Sequence, residues 1–168
     1  MKIDYTDAAQ KSYDAWNTAC FNGELPSIDE DVPDGLSVFA KDMSYATESA
    51  GGYLDDAQEL GCFGKAIYIN TVAITSAISG DYCQFSNPYR LIADCMLHEM
   101  VHLWCDLHGI NDVDSCGMHT EDFKQAANRH LLECEYGIEG FNKTFASSDA
   151  WDAFYRVADE SLKGLVSN

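Results

Sequence analysis

The strongest constraint on this chain is a pentapeptide, His98-Glu99-Met100-Val101-His102, set in the middle of a long apolar segment. Asn87-Pro88 opens that segment with a good capping side chain and a ring suited to a first helical turn. Leu91, Ile92, Cys95, Met96, Met100 and Leu103 recur at helical spacing, and Gly109 is a natural stop. The spacing predicts a helix from Pro88 to about Leu107. Residues four apart lie one above the other on a helix, so His98 and His102 can bind one metal ion from the same side. Glu99, offset by about 100°, can reach water held by that ion. Two neutral imidazoles on zinc, water acidified to a pKa of about 7 and a carboxylate to take its proton are the parts of a zinc hydrolase. As ordinary polar residues on a half-buried helix, the same three side chains would each need a partner.

A catalytic zinc site keeps three protein ligands, so a third is required. His108 stands where the metzincin pattern HExxHxxGxxH places its last histidine, but Cys105 replaces the glycine that turns the chain sharply out of the helix. His119 follows a loop, 111–119, that contains Gly117 and has room to fold back. His130 lies further along the next helical segment, in phase with Phe123 and Ala127. Ligand geometry ranks His119 first and His108 second, with His130 or an acidic side chain behind them.

The 168 residues suffice for one domain with its own core. The formal charge is −18, yet 46% of residues are apolar and 12% aromatic, which argues against a disordered acidic chain. No quarter of the sequence has a positive balance, so autonomous tight binding to DNA or to an anionic membrane is not expected. The opening stretch, MKIDYTDAAQKSYDAW, lacks the apolar core of a secretion signal, and no run is long enough to span a membrane. Seven cysteines, an odd number without a CxxC pair, fit reduced thiols in a cytoplasmic protein better than a disulfide framework or zinc ribbon. Cys105, three residues after His102, is either a thiol near the metal or a small core residue, and the second reading is favoured.

Around the central helix the pattern is mixed. Residues 4–21 carry a broad apolar face ended by Asn22-Gly23, and 27–35 form an acidic loop. Leu36–Ala40, Gly51–Leu54 and Lys65–Asn70 read as strands with short connections, hence an antiparallel meander. Thr120–Leu132 and Ser148–Leu165 read as two further helices. The expected class is α+β, with a short antiparallel three-stranded sheet packed against the metal-binding helix and its flanking helices.

HEMVHLW, followed by His119 and then Phe123, resembles the SprT-like metallopeptidases, which include the Spartan protease domain. Their pattern is HExxH, a loop, and H-x-x-x-F on the next helix. Phe21-Asn22-Gly23-Glu24-Leu25-Pro26, Gly52-Tyr53 and Ile67-Tyr68-Ile69-Asn70 are similar to further segments of that family. Gly137 and Phe141-Asn142-Lys143 bring the chain nearest to small phage- or prophage-encoded members. The resemblance implies a zincin-like domain over 1–145. Residues 146–168 depart from the many members that add a zinc ribbon and are expected to form a C-terminal helix packed on the same domain. The resemblance also implies zinc on His98, His102 and His119, Glu99 as general base and acid, and peptide-bond hydrolysis of a protein substrate. In characterised members those substrates are DNA-bound or DNA-crosslinked proteins. The acidity here, unlike the basic balance of many members, points to recruitment through a substrate or partner, and to a preference for basic substrates. A second oxyanion donor is expected, with Tyr53, Tyr82, Tyr136 and His108 as candidates. The rival reading is a catalytically silent zinc-binding module with an acidic partner-binding surface.

Overall fold

A computed structural model describes residues 5–44, 49–79, 86–136 and 142–167, with the backbone alone at 136 and 142. Its elements run α1 (Tyr5–Phe21), β1 (Leu36–Lys41), β2 (Gly51–Leu54), a 3-10 turn (Gln58–Leu60), β3 (Lys65–Asn70) and α2 (Thr71–Ser79). Then follow α3 (Pro88–Leu107), α4 (Glu121–Arg129), β4 (Leu132–Tyr136), β5 (Asn142–Ala146), α5 (Ser148–Val157) and α6 (Glu160–Val166). The α+β class holds, and α3 has the anticipated bounds.

The three-stranded sheet is not an antiparallel meander. Its order is β1-β3-β2, with β1 parallel to β3 and β2 antiparallel to it. β3 takes the centre because Ala66, Ile67, Ile69 and Asn70 are wholly buried and cover both of its faces. β2 has four residues and opens on two glycines, too little side chain for a central position, so it forms the edge. Asn70 makes this order possible. Its side chain accepts from Met43 N–H and Val72 N–H and donates to the carbonyls of Met43 and Ser49, tying down the β1–β2 connection as it rounds the end of β3.

Three helical expectations change. α2, of mostly small and β-branched residues, follows β3 directly where none was expected. α4 stops at Arg129, because Leu131 adopts a positive φ of 62° that no helix tolerates, and the chain enters the β4–β5 hairpin. The last helix is two: Asp159 accepts from Leu162 N–H and caps α6, breaking the run at Ala158–Asp159.

The core lies between α3, α1 and the sheet. Trp16 of α1 is fully buried, donates to the Ala93 carbonyl of α3 at 2.7 Å and packs on Trp151 and Phe154 of α5. Asn87 caps α3 with its side-chain oxygen and donates its amide to the Leu165 carbonyl, which fastens the C-terminal helices to the same body. Among the described residues no helix is long and apolar enough to cross a membrane, and six cysteines are free.

Candidate metal centre

His98 and His102 sit one turn apart on α3, and their Nε2 atoms are 3.1 Å apart. His119 brings its own Nε2 to 3.2 Å from that of His102, and ligating nitrogens of all three lie within 4.8 Å of one another. Tetrahedral coordination at ordinary metal–imidazole distances places such nitrogens about 3.3 Å apart. The three histidines therefore stand close enough to bind one metal ion. Their protonation suits it. The Asp112 carboxylate, 2.6 Å from His102 Nδ1, can only accept, so Nδ1 carries the proton and Nε2 presents its lone pair. Burial raises the Asp112 carboxyl, but the bond from His102, its charge and nearby backbone N–H groups outweigh that and keep it ionised. His98 Nδ1 meets Thr144 Oγ1 of β5 at 2.6 Å. Burial, reinforced by the neighbouring rings, pushes His98 well below the usual histidine range and His119 down to about 4, so both are neutral at pH 7. Three imidazole nitrogens this close together form a donor set that one metal ion can take up.

The return of His119 has a local cause. Gly109, at φ +64°, lets the chain leave α3. Val113 and His119 then form an antiparallel bridge, and Thr120 N–H donates to the Asp112 carbonyl. Asp114 closes the tip by accepting from Cys116 N–H and Met118 N–H, with Gly117 at φ +77°. This hairpin holds Asp112 and His119 side by side. Behind them Phe123 is fully buried and stacks on His119, centroids 3.9 Å apart and planes 9° from parallel, so the aromatic four residues after His119 sets the ring plane.

Glu99 lies 6% exposed beside the histidines and accepts from Tyr53 N–H of β2. Burial raises its carboxyl to about 7, against the lowering effects of His102 and the Tyr53 N–H. β2 approaches this closely because Gly51 has no side chain: a Cβ there would stand 2.9 Å from the Tyr68 carbonyl and 3.4 Å from Glu99. Ala50 and Asn70 exchange a ladder bond, so by antiparallel alternation Gly51 and Tyr53 turn their backbone groups away from β3, toward Glu99 and α3.

The histidines and Glu99 open into a cavity of about 510 Å3, walled by β2, the Ile110–Val113 segment and Asp106. Asp106, one turn past His102, accepts from Tyr53 Oη at 2.7 Å and from Lys65 Nζ at 2.6 Å, and the lysine holds its carboxyl below the usual range. Tyr53 thus lies in the cavity with its hydroxyl engaged.

The other sequence candidates are placed elsewhere. His108 stacks on Trp104 and bonds its carbonyl, and His130 stacks on Phe21 and bonds the Cys20 carbonyl; neither joins the cluster. Cys105 is wholly buried in the core. Tyr82, the Tyr136 side chain, Gly137 and Phe141 lie outside the described residues. Sequence reasoning missed Asp112 and Thr144, the two groups that orient ligand rings. A carboxylate ten residues after His102 is a weak signal. The first strand of the hairpin carrying Thr144 was legible in the alternation of Leu132, Glu133, Cys134 and Glu135, apolar and acidic in turn. No family model, curated protein or solved structure matches the chain.

Proposed function

We propose that this chain is a zinc-dependent endopeptidase acting on a protein substrate. The observation that carries the proposal is the buried carboxylate of Glu99 beside three histidines whose Nε2 atoms converge at 3.1 and 3.2 Å, at the wall of an open cavity. The resemblance of HEMVH, His119 and Phe123 to the SprT-like pattern supports the same reading. A structural zinc site would be closed by a fourth side chain, and here the three nitrogens face a cavity.

His98, His102 and His119 would hold the zinc, which when bound supplies Lewis acidity, acidifying water and polarising a carbonyl. Glu99 takes the proton from the attacking water and delivers it to the leaving amine. Burial keeps bulk water from competing for its proton, and the Tyr53 N–H fixes which way the carboxylate points. β2 is an edge strand that lines the cavity, so an extended substrate would lie beside it. Asp112 keeps the proton of the His102 ring on Nδ1, and the Thr144 hydroxyl holds the orientation of the His98 ring.

Hydrolysis of an unstructured protein such as casein tests the reading. Activity should vanish with a chelator and return with zinc. His119→Ala should lower bound zinc, whereas His108→Ala should not. A chelator-insensitive cleavage, or zinc loss with the His108 variant alone, would contradict the assignment.

A further inference from the structure

A second cavity, of about 290 Å3, adjoins the first. Ser49, Gly51, His98 and Glu99 line both, so the two spaces meet beside the proposed reacting centre. The smaller one runs back along α3 to Asp94, one turn before His98, and is bounded by Thr144 on the hairpin side. Several of its walls are short side chains, Ala50, Gly51 and Thr144 among them, which is why the space exists. Asp94 is only 6% exposed, and among the described residues no Lys or Arg lines the cavity. Arg90, one turn earlier, lies over the Trp151 ring and donates to the Tyr155 hydroxyl, and its charge reaches Asp94 without outweighing the burial of that carboxyl.

We infer that this cavity is a specificity pocket for a lysine or arginine side chain of the substrate, with Asp94 as its counter-charge. The inference rests on the peptidase reading and names the class of substrate residue that flanks the cleaved bond. A buried carboxylate is costly unless a cation or several donors satisfy it. The Ala146 N–H supplies one donor, at 2.7 Å to Oδ1, and locks the side chain in orientation. A carboxylate has about four acceptor sites, so most of its capacity stays open to an ammonium or guanidinium group. The long unbranched stem of Lys or Arg can pass the short side chains Ala50, Gly51 and Thr144 on the wall. A net charge of −18 raises the local concentration of cationic segments and so works in the same direction.

The test separates the pocket from the chemistry. The full chain carrying Glu99→Gln, loaded with zinc, is titrated with alanine-rich peptides that differ at one position: Lys, Arg, norleucine or Glu. Binding is read by calorimetry at low salt. The Lys and Arg peptides should bind about tenfold tighter than the norleucine peptide, from one charge-assisted bond, and the Glu peptide weakest. Adding Asp94→Asn keeps the side-chain size and the bond from Ala146, and should bring the Lys-to-norleucine ratio to near one. Equal binding of Lys and norleucine, or a preference that survives Asp94→Asn, overturns the inference. Failure of the peptidase reading looks different: the protein with Glu99 intact then cleaves none of these peptides, whatever the charge selectivity of binding.

Discussion

Replacing Asp112 with alanine removes the partner of one ligand ring while leaving all three ligands in place. Asp112 Oδ2 is 2.6 Å from His102 Nδ1, with the two side chains 22% and 12% exposed, so the pair is largely shielded from water. Without it the His102 imidazole can rotate, and it can shift its proton to the ligating nitrogen. Loss of such a partner typically costs about 10–100-fold in metal affinity, or about 1.4–2.8 kcal/mol. The partial exposure places the expected loss near the middle of that range. The fold should survive, since the loop is held by backbone bonds from Thr120 N–H to the Asp112 carbonyl and from Asp114 N–H to the Met118 carbonyl. Asp112→Asn keeps an acceptor without the charge and should fall between the native protein and Asp112→Ala. Competitive titration of zinc against a chromophoric chelator measures all three. Native affinity in Asp112→Ala, with circular dichroism unchanged, would show that the contact does not orient the ligand.

Other predictions concern the scaffold. Asn70→Ala deletes four hydrogen bonds, three to the β1–β2 connection and one to the start of α2, and should lower stability by about 2–4 kcal/mol in urea unfolding. It should also impair hydrolysis, because β2 positions Glu99. Asp94 gives a pH signature in the metal-free protein. Burial raises its carboxyl from 3.8 to about 7, so its stabilising contribution is complete below about pH 4 and is lost as pH rises through 7. Between pH 5 and pH 8 the native protein should therefore lose stability relative to Asp94→Asn, by up to about 3 kcal/mol. Parallel pH dependence in the two proteins would refute the burial assignment.

The metal site was more legible than the sheet, for a physical reason. A helix fixes the relation between residues four apart, so His98 and His102 can be placed on one side from spacing alone. His119 depends on a loop, but Gly117 and the helix start at Thr120 were visible marks that the chain turns back. Strand order has no such local ruler. β1 and β3 pair in parallel across a connection whose course is set by the buried Asn70 side chain, and nothing in local alternation reports that contact. Asp112 and Thr144 escaped notice for a similar reason. Each is an ordinary polar residue until the fold brings it to a histidine, from a loop in one case and from a hairpin read partly as helix in the other. Leu131 illustrates the limit: its positive φ ends the helical run, although neither leucine nor its neighbours signal a break.

The central claim is that Glu99 performs proton transfer at a zinc site made by three histidines. The most direct measurement pairs metal content with proteolysis for Glu99→Gln. Glutamine preserves the size of the side chain and leaves His98, His102 and His119 untouched. One zinc per chain with casein cleavage reduced at least about a thousandfold is the predicted result, from the loss of the general base together with the charge beside the reacting centre. Full zinc occupancy with cleavage at the native rate would contradict the account.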